Sequence, residues 1–309
     1  MGPPIELSVI AEPTAQAQWS DLARRCESIG VRALLAPDHP GSAPSPFVAL
    51  AAAASATSTL RLSSYVTNAG VRHPLLLASD IATLDVVSDG RAELGIGAGH
   101  TPAEFEMTGR TRPGPRQRVR ELIVVASSVR RLLDGHGVEG TQTGALTDLR
   151  LEEPRPTQAR IPILVGGGNR ALLDWAGANA DAVGLSGLGA TLPDGHSHTV
   201  RWSTRQVDAQ LAQVSAAAAA AGRSDPPACE ALVQFVRETN DRERVIEEIA
   251  KRVEAPRADV QHAPYALIGS IGQIAEQLMA ARERWGIRRW AVRADALDSA
   301  ARIIARLRG

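Results

Sequence analysis

Asp38 and His39 stand side by side in the stretch Ala36-Pro37-Asp38-His39-Pro40, a carboxylate next to an imidazole. An imidazole titrates near neutrality, so such a pair can take up and return a proton during a reaction. The same residues also fit a solvated turn, because aspartate and proline both favour turns. A second candidate is Gly95-Ile96-Gly97-Ala98-Gly99, followed by His100. It is not a dinucleotide fingerprint, since its third glycine comes one place early and it does not open the first βα turn. It reads as backbone that must approach a flat ring or a phosphate where a Cβ would not fit. The third is Gly166-Gly167-Gly168-Asn169 ahead of a helical stretch. Free amides at a helix N-terminus attract anions without basic side chains, and a tight turn is the competing reading.

Other chemistries find less support. Gly184-Leu185-Ser186-Gly187-Leu188 lacks the last glycine of a nucleophile elbow, which argues against a serine hydrolase. His196-Ser197-His198 with Asp194 has no evident further ligand, so no metal site is expected. Cys26 and Cys229 lie far apart outside any Cys-x-x-Cys pair and read as structural thiols. The formal net charge is zero, so no basic surface invites nucleic acid or anionic lipid. With no signal-like opening and no long apolar run, a cytoplasmic enzyme is expected.

The elements that must position these residues alternate strictly. Short apolar strands are expected at 5–10, 31–37, 60–66, 91–96, 161–165, 181–185, 231–237 and 288–292. Helices are expected at 19–29, 47–56, 75–87, 119–133, 171–178, 200–221, 242–253, 271–285 and 297–307. Residues 101–115 read as an irregular insertion and 186–198 as a loop. Strands alternating with helices imply a parallel sheet with helical crossovers. Eight such units over 309 residues favour an α/β fold with a closed (β/α)8 TIM barrel, a single domain over 1–309. In a barrel the chemistry sits on loops after the strands, where all three candidates fall.

Taken together and in order, these segments resemble the luciferase-like monooxygenase superfamily, in particular its F420-dependent oxidoreductase class. The resemblance runs from Ile29-Gly30-Val31 and Pro37-Asp38-His39 through Arg72-His73-Pro74, Thr83-Leu84-Asp85, Ser88-Asp89-Gly90-Arg91 and Gly95–Gly99. It continues at Ile163–Gly168, Leu267-Ile268-Gly269-Ser270 and Arg282-Glu283-Arg284-Trp285-Gly286. It covers nearly the whole chain and implies the same barrel, with coenzyme F420 or FMN lying across the strand ends. Asp38 and His39 match the family's Asp-His pair, the carboxylate near the ring and the histidine acting as acid or base. Ser64, Tyr65, Thr67 and Asn68 match the segment behind the ring, where a non-proline cis peptide is implied, here at Ser64–Tyr65. Gly97, Ala98 and Gly99 match the loop along the cofactor, and Gly166, Gly167 and Gly168 the loop around its phosphate.

One departure matters. In the F420-dependent sugar-phosphate dehydrogenases of the class, a proton-donating glutamate follows the glycine stretch. Here His100 stands in that place, with Glu104 four residues on. The expected activity is hydride transfer between reduced F420 and a small organic substrate, with His39 moving the proton, Asp38 orienting it and His100 facing the substrate. The alternatives are an FMN-dependent monooxygenase and a barrel that binds a flavin-like ligand without catalysis. A homodimer through alanine-rich barrel helices is also expected.

Overall fold

Eight strands follow one another without a break in the sheet order of the computed structural model, which describes residues 4–139, 148–192 and 198–308. They are β1 (Glu6–Ile10), β2 (Ala33–Ala36), β3 (Arg61–Ser64), β4 (Ala92–Gly97), β5 (Ile163–Gly166), β6 (Ala182–Leu185), β7 (Ala228–Leu232) and β8 (Arg289–Arg293). β8 returns beside β1 and β3 pairs with β4, so the order is closed. The pairs β1–β8, β7–β8, β6–β7 and β3–β4 are all parallel. Helices connect successive strands, which makes the fold the expected (β/α)8 TIM barrel.

By contacts the chain divides into two compact units. One comprises Met1–Ala11, Ser28–Ala33 and Gly166–Gly309; the other comprises Glu12–Glu27 and Leu34–Val165. In the first, Leu7 lies opposite Trp290 and Val9 opposite Val292, all four buried. Helix 271–285 starts there at a capping box, Ser270 with Gln273, and stops at Gly286 in the left-handed conformation.

In the second unit, helix 74–87 begins with Pro74 at its first turn and ends before Asp89 and Gly90, both at positive φ. The Arg91 guanidinium then donates to the carbonyls of Ser88, Leu60 and Ala54 at 2.6, 2.8 and 3.0 Å. Asp85, buried, accepts from Gln158 N and Nε2 at 2.9 and 2.6 Å. The Thr83–Asp85 and Ser88–Arg91 motifs therefore fasten this helix to its neighbours; their work is structural.

Three expectations change. Residues 101–115 are not wholly irregular: Pro102–Met107 forms a short helix. The strand expected at 231–237 is two strands, β7 and Phe235–Glu238. The chain changes partner between them, for Val233 N donates to Ala291 O while Gln234 N donates to Tyr265 O. The second strand then pairs with Ala266–Gly269. Within 186–198, Leu188–Thr191 pairs antiparallel with His198–Val200. Asp194, His196 and Ser197 lie outside the described residues. No helix among those described is long and apolar enough to cross a membrane.

Candidate active site

Parallel strands point their C-terminal ends one way, so β2, β3 and β4 deliver residues 38–39, 64–68 and 97–100 to the same region of one unit. The helix Pro102–Met107 adds Glu104 and the approach to helix 74–87 adds Arg72.

His39 Nδ1 lies 2.7 Å from Glu104 Oε1. The other carboxylate oxygen accepts from Asn68 Nδ2 at 2.6 Å. Asn68 is itself held, its Oδ1 accepting from Gly70 N at 2.9 Å, and Arg110 donates to the Gly70 carbonyl. The Glu104 side chain is 3% exposed and that of His39 32%. Glu104 thus takes one imidazole nitrogen and leaves the other edge of the ring toward solvent.

Asp38 does something else. Its carboxylate accepts Arg72 Nε at 2.8 Å and Nη2 at 2.6 Å, a two-pronged charge-assisted contact, and also Asn68 N at 3.2 Å. Both oxygens are engaged, so Asp38 does not orient His39, contrary to expectation. The group that orients it is Glu104. Its place is signalled by Thr101-Pro102-Ala103-Glu104, a helix-start pattern with proline at the first position. Only the fold shows that its carboxylate turns to His39. Arg72 was visible as part of a motif, but its partner 34 residues away was not.

The electrostatics follow from these contacts. The Glu104 hydrogen bond, more than its charge at a distance, raises the His39 pKa above the ordinary imidazole value; burial opposes it. For Glu104, burial works to raise the pKa, but hydrogen bonds from His39 and Asn68 together bring it below the usual carboxylate range. Arg72 is likewise held above its ordinary value by the hydrogen bond to Asp38. The contact therefore favours the imidazolium form of His39 and the carboxylate form of Glu104 together.

His100 joins this cluster, its ring meeting that of His39 edge to face with centroids 5.5 Å apart. Ser64, Thr67 and Asn68 are buried and their side chains serve the chain itself. Ser64 Oγ donates to Gly95 O at 2.9 Å and Thr67 Oγ1 to Ser64 Oγ at 2.8 Å. The non-proline cis peptide is at Tyr65–Val66, one residue later than expected. The strand's pairing persists through Tyr65, whose N–H donates to Ala36 O at 2.7 Å, and so the turn comes after it.

The glycines also have an internal explanation. A Cβ on Gly95 would overlap the Ser64 carbonyl, and one on Gly99, at φ +69°, would overlap the Asn68 amide. They are small because β3 and Asn68 pack onto them, whereas approach by a ligand had been expected. Ala98, Gly99 and His100 remain half-exposed. Gly166–Gly168, in the other unit, is similar. Gly167, at φ +144°, would put a Cβ 2.9 Å from Leu172 Cδ2, and Gln210 fills the space at Gly168. Asn169 caps the following helix by accepting from Ala171 N at 3.0 Å.

Among the described residues no three histidine, cysteine or acidic side chains converge to hold a metal ion. Burial pushes the Cys26 thiol up to about 12 and that of Cys229 to about 11, which keeps both protonated and unreactive.

The chain is similar to several known proteins. The F420-dependent glucose-6-phosphate dehydrogenase of Kineococcus radiotolerans is 31% identical over 204 residues, 62% of this chain and 59% of that one. The chain spans about half the length or less of other curated relatives it matches, among them a 5,10-methylenetetrahydromethanopterin reductase of Methanopyrus kandleri, 34% identical over 43% of this chain and 42% of that one. An F420-dependent secondary alcohol dehydrogenase shares the fold at TM-score 0.76 with 16% identity, over 99% of this chain and all of that one. The family model described as luciferase-like monooxygenase matches residues 9–302, and the chain belongs to that family.

Proposed function

We propose that this chain is an F420-dependent oxidoreductase in which His39, held by Glu104, handles the proton that accompanies hydride transfer to or from a small organic substrate. The observation that carries the reading is the 2.7 Å contact between a buried carboxylate and a half-exposed imidazole. A family with both F420-dependent and flavin-dependent members supports the redox part, and the F420-dependent sugar-phosphate dehydrogenase among its sequence relatives favours the deazaflavin.

The residues present fit such a group. Asp38, His39, Asn68, Arg72, His100 and Glu104 offer acid–base and hydrogen-bonding chemistry but no side chain that can carry a hydride. Bound F420 supplies the hydride chemistry, and the protein supplies orientation and the proton. The half-exposed backbone at Ala98–His100 and the two imidazoles form the surface for the ring. His39, charged through its contact with Glu104, gives its proton to the substrate atom that becomes a hydroxyl or an amine in reduction, and takes it back in the reverse direction. Asp38 and Arg72 hold the β2 end in place, and His100 lines the substrate space beside His39.

We further propose a homodimer. Val48, Leu76 and Val124 are exposed on helices 46–54, 74–87 and 115–133, which pack side by side in one unit, and a second copy would cover these apolar side chains. Sedimentation at micromolar concentration tests this, and a monomer would refute it.

Fluorescence titration with F420 and FMN tests the cofactor. The expected result is micromolar or tighter F420 binding with FMN weaker. Tight FMN with no detectable F420 overturns the reading and moves the chain to the monooxygenases of its family.

A further inference from the structure

The short helix that carries Glu104 ends by turning the chain back toward the site. Gly109 stands at φ +71°, its N–H donating to Glu106 O at 2.9 Å and that of Arg110 to Phe105 O at 2.8 Å. This paired closure around a left-handed glycine fixes the direction in which Arg110 leaves the helix. A Cβ at Gly109 would meet nothing within 4 Å, so the glycine serves the backbone turn and not a close approach.

Arg110 is thereby brought to Gly70, whose carbonyl accepts from Nη1. The other terminal nitrogen faces Glu121 Oε2 on helix 115–133 at 3.9 Å. The Gly70 N–H donates to Asn68 Oδ1 at 2.9 Å, and Asn68 Nδ2 donates to Glu104 Oε2 at 2.6 Å. These contacts close a circuit. It runs from Glu104 to Asn68, to Gly70, to Arg110, and back along the chain of the helix to Glu104. The fully buried Phe105 ring lies against Gly70, for a Cβ there would come 2.5 Å from it. A helix of six residues is marginal by itself, so its placement depends on such cross-links.

We propose that Arg110 is a positioning residue for the His39–Glu104 pair: by tying the end of the Glu104 helix to Gly70, it keeps Asn68 and the Glu104 carboxylate aligned so that the remaining carboxylate oxygen meets His39. The hydrogen bonds and ion pair of Arg110 go to Gly70, Phe105 and Glu121, so it acts on His39 only through the circuit. Without the tie the Gly70 carbonyl loses its donor, Asn68 is free to turn, and Glu104 moves with it away from the imidazole. The role of Arg110 in the reaction rests on the oxidoreductase reading; its effect on His39 does not.

The charged and titratable groups around His39 are Glu104, Asp38, Glu12 and His100. Losing the Glu104 hydrogen bond makes the imidazolium a stronger acid, whereas losing a positive charge nearby makes it a weaker one. The sign of the change therefore separates positioning from a direct effect of the Arg110 charge.

The test is NMR titration of the seven histidines of the intact protein without cofactor, with His39→Ala assigning the His39 signal. In Arg110→Met the acid dissociation constant of His39 is expected to rise about threefold to tenfold, a part of what full loss of a charge-assisted hydrogen bond gives. Arg110→Lys keeps the charge with a single donor point in place of the fork and should recover some of the change. Gly70→Ala leaves every charge in place and crowds Phe105 and Asn68, so it provides a second route to the same rise. A merely structural role for Arg110 would lower Tm and leave the titration of the folded protein unmoved. An unchanged or smaller dissociation constant in Arg110→Met or in Gly70→Ala overturns the proposal and leaves the oxidoreductase reading standing. The expected rise together with full hydride transfer in His39→Ala does the opposite, upholding Arg110 as the positioning residue and removing His39 from the reaction.

Discussion

Replacing Glu104 by glutamine keeps the shape of the side chain and removes its charge, and so isolates what the carboxylate does for His39. The contact is 2.7 Å long, with Glu104 nearly fully buried and His39 about a third exposed. A hydrogen bond to a charged partner contributes about 1.5–3 kcal/mol, and solvent at His39 places this one at the lower end. A loss of about 1.5 kcal/mol of unfolding free energy is expected, roughly 3 °C in Tm for a chain of this size class. The loss should depend on pH in a defined way. His39 has a raised pKa when folded, so its contribution is fully present below the unfolded value of 6.5 and fades as pH rises through the folded one. Glu104 has a lowered pKa when folded, so its contribution is present above 4.5 and fades as pH falls through its folded value. The stability difference between wild type and Glu104→Gln should therefore be greatest between about pH 4.5 and 6.5 and shrink on both sides. Urea unfolding of both proteins from pH 3 to 9 measures it. A difference that stays constant over that range would show that the pair is not ionic and refute the reasoning. The alkaline limb of the activity profile should move to lower pH in the same variant, because His39 then loses its proton more easily.

Other expectations rest on the same cluster. His39→Ala should lower kcat about 10²–10⁴-fold with F420 affinity within severalfold, read by single-turnover hydride transfer with cofactor pre-bound. His100→Ala should instead raise KM or change substrate preference; a 10²-fold chemical defect there would transfer the proton role to His100. Arg72→Ala leaves the Asp38 carboxylate buried without its partner and should destabilise the protein by about 3 kcal/mol in chemical denaturation, with Asp38→Asn in the same chain recovering part of the loss. Gly99→Ala, at φ +69° and against the Asn68 amide, should displace Asn68 from Glu104 and lower kcat more than it lowers F420 affinity; an unchanged kcat would count against the network.

The amino-acid order by itself determined the alternation of apolar strands and capped helices, because apolar period and the Gly, Pro and Asp stop signals are local properties of the chain. It also placed Asp38, His39 and His100 after strands, which in a parallel barrel means one end of the molecule. Strand limits moved by a residue or two, and the one strand misjudged in kind, at 231–237, changes hydrogen-bonding partner between Val233 and Gln234, which no local pattern records. The pairing of charges was decided only by the tertiary structure. Adjacency in sequence suggested that Asp38 serves His39, yet successive residues at a strand end point apart. Asp38 meets Arg72 from 34 residues away, and His39 meets Glu104 from 65 residues away. The same holds for the glycines, whose smallness could be read from the sequence but whose reason could not. Ser64 and Asn68 occupy the space their missing side chains would need, and that is a fact of packing between segments distant in the chain.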